Sequence, residues 1–262
     1  MTKSIQDIVF IGAGNVATHL GKSLSKYYTI RQVFSRTEES ASALAETVEA
    51  RWITNTRAMD YSSDAYLLCL PDDQLVPVLN RMKFQDQLLI HTSGSVSMDI
   101  LKGYSNNYGV LYPVQTFSKA RPVDLQQVPI CIEANSIENE GAIFKMASRL
   151  SRNIQMLSSD KRVIIHIAAV IACNFANHMY ARAEGIMDAN QLDFELLKPL
   201  ILETAHKVME MSPGKAQTGP AKRNDQKIIQ EHINKLRDSP ELQKLYSFVS
   251  TSISDFTGVQ GE

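Results

Sequence analysis

The sequence is poor in cysteine and carries no marked excess of charge of either sign. Its three cysteines, Cys69, Cys131 and Cys173, lie far apart and do not form metal-ligand spacings, so we expect no metal site. We predict that all three are reduced, buried and small apolar residues, which fits a reducing compartment. The net charge of −1 gives no electrostatic reason to expect a nucleic-acid partner.

Long apolar runs are also missing. The first residues lack the apolar run of a signal peptide, and we see no later run of about 18 apolar residues without charge, the length that spans a bilayer. We therefore expect a soluble, cytoplasmic protein that does not associate with membranes. The chain does have an ordinary apolar content, 44% over 262 residues, enough for a large core and for two domains.

Strands and helices alternate in the first part of the chain. Apolar runs such as "DIVFIG", "AYLLCL" and "QLLIHTSG" predict strands, with helical patterns between them. This order is typical of a doubly wound, mostly parallel sheet of the Rossmann type. Beyond Ser158 only helical patterns follow, and Pro199 is expected to kink the second of them. The sequence thus predicts an α/β domain over residues 1–158 and an all-α domain over residues 159–262.

A glycine-rich turn lies at the first strand–helix junction. In "VFIGAGNVATHLG", Gly12, Gly14 and Ala17 match the G-x-G-x-x-A pattern. The first glycine permits a tight turn, the second lets the backbone approach a pyrophosphate, and the small third residue lets the helix pack on the strand. The N–H groups at the helix N-terminus attract phosphates. The turn predicts dinucleotide binding, and the alternative is a βα turn with a purely structural role.

The second strand ends in residues that favour NADP over NAD. An NAD-binding fold usually has Asp or Glu about 20 residues after the glycines. Here Ser35, Arg36 and Thr37 occupy that position. The guanidinium of Arg36 can pair with a 2′-phosphate, and the two hydroxyl groups can donate to it. The alternative is that Arg36 is a solvated surface residue.

Three further segments follow strands, at the edge where an open parallel sheet binds ligands. They contain Pro71, Asp72 and Asp73 after the fourth strand, Thr92, Ser93 and Gly94 after the fifth, and Pro113, Gln115 and Thr116 after the sixth. The small hydroxyl residues around Ser93 leave room for a nicotinamide or a substrate, and a plain turn is the alternative. We expect the two aspartates to cap a helix rather than to form an acid–base pair.

The motifs "IGAGNVATHL", "SRT", "LPDD", "HTSGSVS", "PVQTFS" and "TGPAKRND" span nearly the whole chain. Together they resemble a family of NADP oxidoreductases with an N-terminal Rossmann-like domain and a C-terminal helical domain of undefined function. Its layout is similar to pyrroline-5-carboxylate reductases, 6-phosphogluconate and 3-hydroxyacid dehydrogenases, and deazaflavin-dependent NADP reductases. The resemblance implies that the first domain holds NADP. It also implies that the helical domain completes the active site and forms a homodimer.

The resemblance also implies roles for single residues. The phosphates would lie against Gly12, Gly14, Asn15 and Val16, the adenosine phosphate against Ser35 and Arg36, and the nicotinamide against Leu70, Pro71 and Ser93. Two departures concern the proton donor. The Lys-x-x-x-Asn pair that hydroxyacid dehydrogenases carry on the interdomain helix is absent here, although Lys161 lies at its start. Tyr112 precedes the proline of "PVQTF", where related sequences often have histidine.

The first helix of the second domain carries a polar stripe within "HIAAVIACNFANHMY", a segment that otherwise predicts a buried helix. His166, Asn174, Asn177 and His178 share one side of this helix. Histidine is a common general acid or base, so His166 is suited to exchange the proton that accompanies hydride transfer, and an asparagine would hold the substrate. The alternative is a set of buried hydrogen bonds between helices or subunits, which we favour for His178. The predicted catalytic residues are therefore His166, Asn174 and Ser93.

One polar loop of the helical domain is a further candidate. In "TGPAKRND" (Thr218 to Asp225), Lys222 and Arg223 either lie in solvent or reach an anionic substrate or a cofactor phosphate, in the same subunit or its partner. The sequence as a whole predicts an oxidoreductase that transfers hydride between NADP and a small carbonyl or imine substrate. The alternative is a non-catalytic sensor or interaction protein that binds NADP(H).

Overall fold

The computed structural model describes residues 5–259. The chain divides into two compact units, Met1–Asn174 and Phe175–Glu262. The alternation of strands and helices ends near residue 158, and the first unit also includes the first turns of the long helix that follows. The boundary between the units falls within that helix.

The first unit is built on one eight-stranded sheet. The strands are β1 (Asp7–Ile11), β2 (Thr29–Phe34), β3 (Arg51–Ile53), β4 (Ala65–Leu68), β5 (Leu88–His91), β6 (Asn107–Pro113), β7 (Ile130–Ala134) and β8 (Ile154–Met156). Their order across the sheet is β3-β2-β1-β4-β5-β6-β7-β8. The first six strands run parallel, β7 is antiparallel to β6, and β8 is parallel to β7. This arrangement confirms the predicted Rossmann-like fold.

Both faces of the sheet are buried. Along β1, Ile8 and Phe10 point into one core while Val9 and Ile11 point into the other, because successive side chains of a strand alternate. The longer helices that follow or link these strands are α1 (Asn15–Leu24), α2 (Glu38–Thr47), α3 (Leu75–Leu79) and α4 (Ile137–Leu150). The central strands therefore read as continuous apolar runs, with no polar alternation.

One long helix follows β8 and crosses the boundary between the units. It consists of α5 (Ser159–Ala169), a π-helical segment (Val170–Phe175) and α6 (Ala176–Ala189). The second unit continues with α7 (Lys198–Glu210), α8 (Pro213–Ala216), α9 (Gln226–Lys235) and α10 (Pro240–Val259). Pro199 lies in the first turn of α7. The predicted kink is therefore wrong, because proline lacks the N–H that the first turn leaves unpaired and so starts a helix well.

The long helix is exposed, in contrast to the prediction of a buried helix. Large apolar side chains such as Ile164, Ile167 and Ile171 are at least half exposed. Cys173 is also exposed, so the prediction of three buried cysteines is wrong for this residue, whereas Cys131 is buried and Cys69 is half-buried. An apolar pattern predicts that one face of a helix is buried, but it does not show that the same chain buries that face.

The same helix changes one expectation about long apolar runs. No Asp, Glu, Lys or Arg lies between Arg162 and Arg182, and the helix Ser159–Ala189 is long and apolar enough to cross a membrane by length and composition. The prediction that no such run exists is therefore wrong. A single helix of this kind is weak evidence for a membrane span, since helices of soluble proteins pass the same test.

Candidate functional site

The crevice of the sheet lies where β1 and β4 are neighbours, at the point where the strand order reverses. Gly12 follows β1 with a φ of +108°, and a Cβ atom there would lie 2.2 Å from the carbonyl oxygen of Cys69, which follows β4. Only glycine fits this position. Gly14 is the N-cap of α1, and a Cβ atom there would meet no atom within 4 Å. Open space therefore lies above the N-terminus of α1, as a pyrophosphate requires.

A cavity of about 340 Å³ lies on one side of this turn. It is lined by Gly12 and Gly14, and by the predicted phosphate-binding residues Ser35, Arg36 and Thr37, together with Ser40 and Lys119. Arg36 is exposed, and its nearest hydrogen-bond acceptor is Gln74 Oε1 at 3.4 Å. Within residues 5–259 no carboxylate forms an ion pair with Arg36. Its guanidinium is therefore available to an anionic ligand.

Lys119 reaches this cavity because the loop after β6 is fastened to α1. The side-chain amide of Asn15 donates to the carbonyl oxygen of Phe117 at 2.9 Å, and His19 Nε2 lies 2.9 Å from the carbonyl oxygen of Ser118. The rings of His19 and Phe117 also pack together, with centroids 4.9 Å apart. Sequence reasoning missed Lys119, since nothing local to it predicts where this loop runs.

A second cavity, of about 380 Å³, lies on the other side of the glycine turn. Seven predicted site residues line it, namely Gly14, Asn15, Val16, Leu70, Pro71, Ser93 and His166, and Tyr112 and Gln115 line it as well. Among the predicted catalytic and cofactor-binding residues, only Asn174 lines neither cavity in the described part of the chain, and its side chain is exposed. The structure therefore brings Ser93 and His166 together without Asn174.

The loop that carries Ser93 is held in a defined turn. Ser93 Oγ accepts hydrogen bonds from the backbone N–H groups of Ser95 and Val96, each at 3.1 Å. The N–H of Ser93 donates to Nδ1 of His91 at 3.2 Å, which leaves the proton of a neutral His91 ring on Nε2. Burial, with a smaller contribution from Arg162, lowers the pKa of His91 to about 3, so this ring is uncharged at neutral pH.

A buried ion pair fastens the start of α5 beside this loop. Arg162 is only 1% exposed and pairs with Glu133 of β7, and its other terminal nitrogen donates to the carbonyl oxygen of Val96. Ser159 donates to the same carboxylate through its N–H, at 2.8 Å, and through its hydroxyl, at 2.7 Å. These contacts fix the first turn of α5 and hence the position of His166, one turn further along the helix. Sequence reasoning missed this ion pair.

His166 is paired with Tyr112, which lies near the end of β6. Tyr112 Oη lies 3.1 Å from His166 Nδ1, and the two rings meet edge to face with centroids 5.9 Å apart. Gly94 makes room for this pair, because a Cβ atom there would lie 2.6 Å from His166 Nδ1 and 2.7 Å from Tyr112 Cζ. Burial raises the pKa of Tyr112, so its hydroxyl stays protonated at neutral pH.

The "TGPAKRND" loop belongs to the second unit. Lys222 and Arg223 are exposed there, and the carboxylate of Asp225 accepts from the N–H of Ile228, so that it caps α9. Asn177 and His178 are exposed residues of α6. The role of the two cations and the role of the polar stripe beyond Asn174 therefore remain predictions.

Comparisons with known proteins relate both parts of the chain to existing families. Residues 7–94 match the family described as NADP oxidoreductase, coenzyme F420-dependent, and residues 128–253 match the domain of unknown function DUF2520. A search of curated proteins finds no match.

Solved structures cover almost the whole chain. BF3122 from Bacteroides fragilis, classed with the NADP oxidoreductases, is 42% identical, with a TM-score of 0.92 over 96% of this chain and 98% of that one. Protein TM1727 from Thermotoga maritima is 22% identical, with a TM-score of 0.73 over 97% and 100% of the two chains. A reductive aminase from Aspergillus terreus, in complex with NADPH and ethyl levulinate, is 13% identical, with a TM-score of 0.71 over 97% and 95%. The last two likenesses show the fold alone.

Proposed function

Because this chain belongs to the same family of NADP oxidoreductases as BF3122, we propose that it uses NADP(H) to reduce a small carbonyl or imine compound. One observation supports this most strongly. The two cavities share Gly14, Leu70 and Pro71, so they form one crevice across the carboxyl ends of β1 and β4. One end of this crevice has cations and hydroxyl groups, and the other end has the Tyr112–His166 pair.

The cofactor of this enzyme is NADP, and the residues present fit it. The pyrophosphate lies in the open space above Gly14, at the N-terminus of α1. Arg36 and Lys119 supply positive charge for the 2′-phosphate, and Ser35, Thr37 and Ser40 supply hydroxyl donors. When bound, the dihydronicotinamide supplies the hydride. Leu70 and Pro71, which line both cavities, would hold its ring and exclude water from it.

The substrate lies beside the nicotinamide in the cavity that Ser93 and His166 line. The volume of this cavity suits a small molecule, and none of the described residues that line it is Lys or Arg. Ser93 keeps the proton of its hydroxyl for the substrate, because its oxygen already accepts two backbone N–H groups. His166 supplies the proton that accompanies hydride transfer, directly or through a neighbour.

The exposed face of the long helix supports a homodimer. Ile164, Ile167 and Ile171 lie on one face, and each is at least 50% exposed. Exposed apolar surface on this scale marks a protein-binding site, and a stable interface buries roughly 800 Å² on each partner. A second copy of the chain, packed through this face in a soluble cytoplasmic dimer, covers these side chains.

Binding of the cofactor tests this proposal. Titration of the protein with NADPH or NADH, followed by the fluorescence of the dihydronicotinamide, gives the two dissociation constants. We expect tighter binding of NADPH, and a loss of roughly tenfold for each of Arg36→Ala and Lys119→Ala, if each phosphate contact contributes about 1.4 kcal/mol. NADH binding should change little. Equal affinities for both cofactors in the unmodified protein would contradict the NADP assignment.

A further inference from the structure

We propose that Tyr112 is the proton donor to the substrate, and that His166 orients Tyr112 and returns its proton. This inference rests on the proposed function, because it names the acid of that same reaction. It is carried by the contact between Tyr112 Oη and His166 Nδ1, 3.1 Å apart, at the wall of the cavity that Ser93 also lines. The sequence suggested His166 as the candidate for this proton and left the donor open, with Tyr112 noted as a departure from related sequences.

The position of the Tyr112 ring is well defined on all sides. It belongs to β6, which pairs with β5 on one side and β7 on the other, and the residue is only 9% exposed. Gly94 approaches both rings so closely that any side chain there would displace the pair. Within the described residues, His166 is the only hydrogen-bond partner of Tyr112 Oη. The hydroxyl therefore has one proton and one contact, and the direction of that contact decides its chemistry.

The hydrogen bond between Tyr112 and His166 can run in either of two directions. If Tyr112 donates to a bare Nδ1, its proton is held by the histidine and cannot reach a ligand. If Nδ1–H of His166 donates to Tyr112, the phenolic proton is free to point into the cavity. The second direction gives a donor aimed at the substrate, held in place by a partner on α5, which the Arg162–Glu133 pair fixes in turn.

The second direction requires that Tyr112 keeps its proton at neutral pH. Burial raises the pKa of this tyrosine, and Cys131 and Cys173 act in the same sense, while Arg162 opposes them. Tyr112 is therefore a neutral phenol at physiological pH and still has its proton to give. His166 is only half-buried, so its ring can exchange a proton with water.

The reaction balances with the groups present and the dihydronicotinamide as reductant. As the carbonyl or imine carbon accepts the hydride, a C–H bond forms and the π-electron pair moves to the oxygen or nitrogen. That atom takes the proton of Tyr112, so the O–H bond of the phenol breaks as the product O–H or N–H bond forms. Water then protonates Nε2 of His166 as the Nδ1 proton passes to the phenolate, so the imidazole stays neutral, and exchange with water restores the Nδ1–H tautomer. The substrate is reduced to an alcohol or amine, and the cofactor is oxidised to NADP⁺.

The tautomer of His166 tests the inference without any turnover. Long-range ¹H–¹⁵N spectra of the protein above the pKa of histidine report the tautomer of each of its six imidazoles, and His166→Gln assigns the signal. We expect the Nδ1–H tautomer for His166. The Nε2–H tautomer would overturn the proposal, because the proton of Tyr112 would then be held by Nδ1.

The rate at which bound NADPH is oxidised in a single turnover supplies the second readout. Tyr112→Phe should slow the reduction of a carbonyl or imine substrate by about 10²- to 10⁴-fold, the usual contribution of a general acid, with the Kd of NADPH unchanged. His166→Gln, whose amide still donates, should lose less than His166→Leu. Tyr104→Phe is the matched control, because its hydroxyl bonds Asn80 outside the cavity. Reduction by Tyr112→Phe at the unmodified rate would overturn the proposal.

A failure of this inference can be told apart from a failure of the proposed function. A protein that binds NADPH no better than NADH, or that reduces no compound, argues against the proposed function. The His166 tautomer is still read from the protein alone in that case, and it supports or overturns the pairing of Tyr112 and His166.

Discussion

The buried ion pair between Arg162 and Glu133 gives a prediction that can be worked out from the structure. Arg162 is 1% exposed and the Glu133 side chain 14% exposed. Arg162→Met keeps most of the volume of the side chain but leaves the carboxylate of Glu133 without its cation and the carbonyl of Val96 without its donor. Breaking a buried pair on one side costs about 3–5 kcal/mol.

This cost corresponds to a large fall in melting temperature. At about 2–4 °C per kcal/mol for a domain of this size, Arg162→Met should melt about 6–20 °C below the unmodified protein. Scanning calorimetry or circular dichroism measures the shift. Lys161→Met is the matched control, since Lys161 is the exposed neighbour on α5, and a surface change of this kind is usually worth less than about 0.5 kcal/mol.

A double variant separates the loss of the pair from a loss of packing. Glu133→Gln together with Arg162→Met removes both charges, so it should recover part of the stability that Arg162→Met loses, since no uncompensated charge stays in the interior. The reasoning would be refuted if Arg162→Met melted within a degree of the unmodified protein. It would also be refuted if the double variant were less stable than the single one by the full cost of a second unpaired group.

Three further predictions follow from the same structure. Gly12→Ala should abolish NADPH binding and lower the melting temperature, because its Cβ would lie 2.2 Å from the Cys69 carbonyl oxygen, whereas Gly103→Ala, also at positive φ but with open space around its Cβ, should still bind NADPH. Burial lowers the pKa of His91 to about 3, well below that of an unfolded histidine. Its contribution to stability is therefore complete above about pH 6.5 and lost as the pH falls toward 3, which urea titrations in unmodified and His91→Phe protein can measure. Ile167→Asp should convert the proposed dimer to a monomer in light scattering after gel filtration, while Ile137→Asp, at an 86% exposed position on α4, should not.

Local signals account for the part of the fold and site that sequence reasoning predicted. The glycine turn is one, because Gly12 and Gly14 are two residues apart in the chain and their roles follow from backbone sterics. The buried strands are another, since their apolar runs need no knowledge of their neighbours. The position of Arg36 also follows from counting residues to the end of β2.

Contacts between residues far apart in sequence account for what sequence reasoning missed. Tyr112 and His166 are 54 residues apart, and Arg162 and Glu133 are 29 apart. Their pairing depends on where α5 lies on the sheet, and no local sequence pattern predicts that position. Lys119 depends in the same way on the course of one loop. The exposure of the long helix was missed because apolar periodicity is the same for a core helix and for an interface helix.

Transfer of deuterium from NADPH tests the central claim most directly. The protein is incubated with NADPH that carries deuterium at both C4 positions of the nicotinamide and with a panel of ketoacids, aldehydes and cyclic imines, and the products are analysed by mass spectrometry. The account predicts a reduced product with one deuterium on carbon, formed faster with NADPH than with NADH and far more slowly by Tyr112→Phe. Tight binding of NADPH with no deuterated product from any compound would contradict it, and would favour a protein that binds NADP(H) without catalysis.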